Sequence, residues 1–272
     1  MPRYICVTCG VQFAERAEPP PSCPICEDER QFVNRQGQAW TTPDALARSH
    51  RNVLRAEEPG LIGIGMEPSF AIGQRALLIR TPEGNILWDC TSLLDVAVIE
   101  AVQAMGGLAA VAISHPHFYA SMVDWSHAFG RAPIYLPDAD RAYVMRPDPA
   151  IDFWDGDRRP LPGGLSLVRC GGHFPGSTLL YWPAGAGGRG ALLTGDTIQA
   201  VPDRRSVSFM YSYPNYLPLP AAAVRRIAAA VEPLAFDRIY GGWFDRTVPS
   251  GAKAVVARSA ARYVRALDAP GT

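Results

Sequence analysis

The apolar run Leu108-Ala109-Ala110-Val111-Ala112-Ile113 leads straight into Ser114-His115-Pro116-His117. The run is short and small-residued, as a buried strand is. In an extended chain, residues two apart point the same way. Pro116 fixes its own φ and pushes His115 toward extended geometry. Both imidazoles are therefore expected to converge beyond the strand's end. A third histidine lies in Gly171-Gly172-His173-Phe174-Pro175-Gly176-Ser177, and a carboxylate in Thr194-Gly195-Asp196-Thr197. Each follows a strand-like segment. One histidine alone is weak evidence, but three imidazoles and one carboxylate at the ends of separate strands have the donor chemistry of a borderline metal site.

Outward from these residues, the pattern predicts strands at 61–66, 76–80, 86–89, 108–114, 133–136, 165–169, 178–182, 191–194 and 238–240. Gly or Pro bounds most of them. Helical periodicity is expected at 93–105, 119–129, 138–144, 221–231 and 250–267. The last of these places Val256, Ala260, Val264 and Leu267 on one face. The early strands read as an antiparallel group and the later ones as strand–helix units. This predicts an α+β fold of two sheets with helices outside, an αββα layering.

The first 35 residues differ from the rest. They hold Cys6-x-x-Cys9-Gly10 and Cys23-Pro24-x-Cys26, with 13 residues between the pairs and few large aliphatics. A segment this short cannot bury enough apolar surface to fold alone and needs a staple. Two Cys-x-x-Cys turns supply four thiolates for a tetrahedral site, which suits zinc ahead of iron. The module with its Tyr4 resembles a rubredoxin-type zinc ribbon of the short kind attached to rubrerythrins. The expected organisation is a ribbon over 1–35, a connector over 36–60 carrying a short helix capped at Thr42-Pro43, and one domain over 61–272.

Composition limits what the chain can do. Its 272 residues are 48% hydrophobic and 19% charged, which is enough for a sizeable core and too apolar for compositional disorder. Lys plus Arg and Asp plus Glu both number 26, so no global field attracts nucleic acid or an anionic membrane. The apolar runs fall far short of the roughly 20 residues of a spanning helix. Met1-Pro2-Arg3 leads into Cys6 without an apolar segment, so the sequence predicts no signal peptide and a cytoplasmic location.

From about residue 61 to 267 the chain resembles the metallo-β-lactamase-fold proteins, in the broad group that includes glyoxalase II-like hydrolases. That group shows an Asp after an early strand, His-x-His-x-Asp-His, Gly-His-x-Pro-Gly, Gly-Asp and a final His. Asp89, His115, His117, His173 and Asp196 match in order. The family's Asp-His pair falls on Tyr119 and Ala120, and its final His on Trp243. The resemblance therefore implies one ion, zinc or iron, on His115, His117, His173 and Asp196. The second-ion ligands are missing, and Asp124 or His127 on the following helix are the candidates to replace them.

Three functions follow from that pattern. The first is a mononuclear hydrolase acting through metal-activated water on an ester, thioester or lactone-like bond of a small molecule. The others are a mononuclear iron oxygenase or redox protein, and a non-catalytic binding protein on a decayed scaffold. In the first reading Asp196 ligates the metal and holds the attacking water's proton. Asp89 orients a ligand from behind, and the Tyr119 phenol donates to a developing oxyanion. Phe118, Tyr211, Tyr213 and Trp243 are expected to wall a substrate pocket. Oligomeric state stays open, homo-oligomer included.

Overall fold

The computed structural model describes residues 1–268. They form two compact units, one over residues 1–154 and one from residue 155 onward.

The first unit opens with β1 (Ile5–Cys6) and α1 (Pro24–Glu27), followed by β2 (Trp40–Thr41), which pairs with β1. The short α2 (Pro43–Ala47) follows, with the Thr42 hydroxyl accepting from Ala45 N–H as its cap residue suggested. A seven-stranded sheet then runs in the order β3 (Arg51–Glu58), β4 (Leu61–Glu67), β5 (Ala76–Ile79), β6 (Ile86–Trp88), β7 (Ala110–Ala112), β8 (Ile134–Pro137) and β9 (Ile151–Trp154). Strands β3 to β6 are antiparallel, and β6 to β9 are parallel. Helices α3 (Val96–Ala104) and α4 (Met122–Ala128) connect the parallel strands, as parallel pairing requires.

The sheet thus begins at Arg51, inside the expected connector, rather than at Leu61. Strand β3 carries Arg51, Arg55, Glu57 and Glu58, the charged composition of a sheet edge, and that hides it from hydrophobic patterning. Glu57 anchors this edge by an ion pair of 2.9 Å with Arg75, whose side chain is wholly buried. In the interior, β5 and β6 are buried along their whole length, which explains their unbroken apolar sequence.

The second unit contains a six-stranded sheet. Its order is β10 (Arg158–Pro160), β11 (Ser166–Arg169), β12 (Thr178–Trp182), β13 (Ala191–Leu193), β18 (Arg238–Tyr240) and β19 (Thr247–Val248). Only the β13–β18 pair is parallel. The one-turn α5 (Gly185–Gly188) lies between β12 and β13. Two small hairpins, β14 (Gln199–Ala200) with β15 (Val207–Ser208) and β16 (Met210–Ser212) with β17 (Leu217–Pro218), precede α6 (Ala221–Val231). The chain ends in α7 (Ala252–Asp268). Val224, Ile227 and Val231 of α6 and Val256, Ala260 and Val264 of α7 enter one core with Leu179, Leu192 and Ile239. Leu267, expected on the same face, is 42% exposed because the core ends a turn before it.

Candidate metal centres

The four cysteines converge inside the first unit. Gly10 N–H closes on the Cys6 carbonyl at 2.8 Å, and Cys26 N–H on that of Cys23 at 2.9 Å, folding each Cys-x-x-Cys into a turn. All four are buried and none forms a disulfide. Cys6 Sγ lies 3.6 Å from Cys26 Sγ, and Cys9 Sγ lies 3.7 Å from Cys23 Sγ. A tetrahedron with metal–sulfur bonds of about 2.3 Å has edges of about 3.8 Å, so the four thiols fit one ion.

Strong contacts dock this module on its unit. Ile5 packs with Leu46 and Leu93. Ser92 donates to the Gly10 carbonyl at 2.8 Å, and Gln12 N–H to that of Ala120 at 3.0 Å.

Two further histidines lie at the end of β7. Asp89 has φ +62°, a conformation that turns the chain away from β6. Its carboxylate accepts the N–H of Ser114, the residue before His115, at 2.8 Å. Ser114 Oγ is 2.9 Å from His115 Nδ1, which leaves Nε2 as the donor that histidine offers a metal. His115 is extended as expected, at φ −173° and ψ 172°. His117 is not: residues Pro116–Phe118 form a 3₁₀ turn, because proline's φ also suits a helical start. The rings still come together, with centroids 5.1 Å apart. Convergence comes from the turn rather than from strand alternation.

His173 and Asp196 meet in the second unit. Ser177 shapes the turn, accepting Phe174 N–H at 2.7 Å through its hydroxyl. His173 Nδ1 stands 2.8 Å from the Tyr211 carbonyl and 3.2 Å from that of Met210. Carbonyl oxygens only accept, so Nδ1 carries the hydrogen and Nε2 is the ring nitrogen turned away from them. That Nε2 lies 3.7 Å from Asp196 Oδ2, with both side chains buried. Tyr213 OH donates to the Asp196 carbonyl at 2.8 Å. Burial, then the charge of Asp196, pushes the Tyr213 phenol well above its ordinary range, so it stays a neutral donor. Donor chemistry thus marks two candidate metal-ligand groups: the four cysteines, and His115, His117, His173 and Asp196. The two carbonyls that fix His173 leave no trace in the sequence. Ser114 could have been found, since it directly precedes His115.

The remaining expected residues are placed differently. The Tyr119 phenol, expected as an oxyanion donor, is 3.5 Å from the Asp140 carbonyl and buried among its own unit's side chains. It is a packing residue. Asp124 does not supply a second ion: Arg3, Arg146 and Gln12 bind its carboxylate. His127 pairs with Asp148 at 2.9 Å. Of the four expected pocket residues, Tyr213 lines a cavity of about 260 Å³ in the second unit. Tyr211 instead gives its carbonyl to His173, and Phe118 packs against the His115 ring at 4.9 Å. Trp243 holds a turn through its own carbonyl, which accepts Arg246 N–H at 3.1 Å. Cys90 and Cys170 are structural thiols: burial raises both, Cys170 to about 12.

No family model matches the chain. Over 270 residues it is 49% identical to the uncharacterized protein YmaE of Bacillus subtilis (strain 168), covering 98% of each. The chain belongs to the YmaE family. Among solved structures, the DIM-1 metallo-β-lactamase exposed to ceftazidime superposes with a TM-score of 0.60 at 11% identity, over 79% of this chain and 98% of that one. The metallo-β-lactamase FIM-1 of Pseudomonas aeruginosa, in its mono-zinc form, gives 0.58 at 13% identity, over 80% and 97%. A Cronobacter sakazakii metallo-β-lactamase with a HARLDQ motif gives 0.52 at 18%, over 79% and 92%. This member of the YmaE family therefore has the metallo-β-lactamase fold, joined to a four-cysteine module. Among the described residues no helix is long and apolar enough to cross a membrane.

Proposed function

We propose that His115, His117, His173 and Asp196 serve one ion, and that the protein is a mononuclear metal-dependent hydrolase of an ester, thioester or lactone-like bond in a small molecule. The observation that carries this reading is the His173–Asp196 pair. With Nδ1–H committed to carbonyls, a lone pair and a carboxylate oxygen face each other in a buried place at 3.7 Å. A proton on Nε2 is too far from Oδ2 at that distance for a hydrogen bond. A divalent cation between them satisfies both. Ser114 orients His115 in the same manner, the usual way a protein fixes a ligating imidazole.

When bound, such an ion supplies Lewis acidity that activates water near neutral pH and polarises a carbonyl under attack. Asp196 is the carboxylate in the set, and its second oxygen can hold the water's proton. Asp89 positions His115 through Ser114. The FIM-1 structure is of a mono-zinc form, and one zinc is the stoichiometry proposed for the histidine–aspartate set. A second zinc, on the four cysteines, is structural.

Metal analysis of purified protein tests this. Two ions per chain are expected, and His117→Ala should retain one. Hydrolysis of an ester, thioester and lactone panel should disappear in that variant. Unchanged metal content in His117→Ala overturns the assignment. Iron with oxygen consumption and no hydrolysis replaces a hydrolase by an oxygenase.

A further inference from the structure

The cavity of about 260 Å³ in the second unit is lined by Ala200, Val201, Met210, Tyr213, Tyr216 and Arg246, among others. Two of these also hold the proposed ligands: the Met210 carbonyl faces His173 Nδ1, and the Tyr213 hydroxyl binds the Asp196 carbonyl. The cavity therefore adjoins the backbone that sets that pair. Its walls are mainly aliphatic and aromatic, with Gln199 and Ser208 as neutral polar members, and Arg246 is the charged side chain among its lining residues.

Arg246 is half-buried, and among the described residues its guanidinium meets no carboxylate. Several other covered guanidinium groups are matched by a carboxylate: Arg30 by Asp28, Arg75 by Glu57 and Arg146 by Asp124. The Arg246 backbone is held in place. Its carbonyl accepts Gly241 N–H at 2.7 Å, and its N–H reaches the Trp243 carbonyl. A Cβ at Gly241 would stand 2.9 Å from the Arg246 carbonyl oxygen, so a glycine is needed for this close approach. This turn carries Trp243 and, three residues on, Arg246 on a held backbone.

We propose that this cavity binds the acyl or leaving part of a small carboxylate-bearing, apolar substrate, with Arg246 as its anion anchor. The proposal rests on the reading of His173 and Asp196 as ligands and adds the substrate class. One planar guanidinium matches one carboxylate in a two-pronged pair. Apolar walls with no second cation disfavour a multiply charged phosphate. The aromatic rings of Tyr213 and Tyr216 suit a flat or branched apolar body.

The test is calorimetric titration of the metal-loaded protein with phenylacetate and, separately, its neutral analogue phenylacetamide. Phenylacetate should bind about tenfold or more tightly, the worth of one charge-assisted pair. Arg246→Gln should abolish the preference while metal content stays at two ions per chain, and Arg246→Lys should keep part of it. A circular dichroism melt confirms that each variant is folded. If Arg246→Gln keeps the preference, the anion sits elsewhere, on the ion itself for example, and the proposal fails. Equal binding of both probes by the wild type also overturns it. Failure of the hydrolase reading shows separately, as absent turnover or as metal unaffected by His117→Ala.

Discussion

His173 turns Nε2 toward Asp196 Oδ2 at 3.7 Å while the Tyr211 carbonyl holds its other nitrogen at 2.8 Å. The ring is thereby set in one tautomer and one orientation. Replacing it by alanine removes the proposed ligand beside Asp196. His173→Ala should reduce metal from two ions to one per chain. Hydrolysis should fall by more than the roughly 100-fold that loss of a mere supporting partner costs. Metal analysis with a residual-activity assay checks both, and full occupancy in this variant would contradict the ligand assignment.

Asp89 is placed to be such a supporting partner. It occupies the left-handed region at φ +62°, which Asn adopts more readily than Ala, and its carboxylate accepts Ser114 N–H. Asp89→Ala should weaken metal binding about 10- to 100-fold. Asp89→Asn keeps an acceptor oxygen and the backbone preference, so it should recover most of that loss. Chelator competition measures the difference. Equal loss in both variants would mean that charge, not the hydrogen bond to Ser114, is what matters.

The candidate ligand residues were legible in the sequence because side-chain identity and strand-end position are both written in it. It showed the interior strands β5 and β6 because fully covered strands are apolar throughout. It missed β3, whose stability comes from pairing and the Glu57–Arg75 ion pair rather than from an apolar face. It missed the 3₁₀ turn at Pro116, since proline's φ serves extended and helical starts alike. It could not show that Tyr119 is committed to Asp140, or that Asp124 is held by Arg3 and Arg146. Those partners lie far away in sequence, and no local pattern records them.

The cysteine module should behave as part of the first unit. Gly10 has φ +82°, and a Cβ there would lie 2.4 Å from Ser92 Oγ. Gly10→Ala should cost about 1–2 kcal/mol from backbone strain alone, and more from the clash. At this chain length that lowers Tm by roughly 2–4 °C per kcal/mol. Adding Ser92→Ala removes the nearest atom and should restore part of the loss. A thermal melt of the single and double variants decides. No recovery would show that the strain lies wholly in the backbone.

Asp237 gives the second unit a pH-dependent brace. Its Oδ1 accepts Gly251 N–H at 2.8 Å, just before α7, and its Oδ2 accepts Arg189 Nε at 3.0 Å. The Gly251 N–H, then Arg189, hold its carboxyl below the ordinary carboxylate range. A lowered folded-state pKa contributes stability that is present above the unfolded value, about 3.9, and is lost as pH falls through the folded value. The pair is largely solvent-exposed, so the cap is worth about 0.5–1 kcal/mol. Asp237→Asn should therefore melt about 1–4 °C below wild type at pH 7. The gap should close as the pH is taken below about 4, because protonation removes the same charge from the wild type. Melts at pH 7, 5 and 3 check this, and a gap unchanged across that range would assign the brace to shape rather than charge.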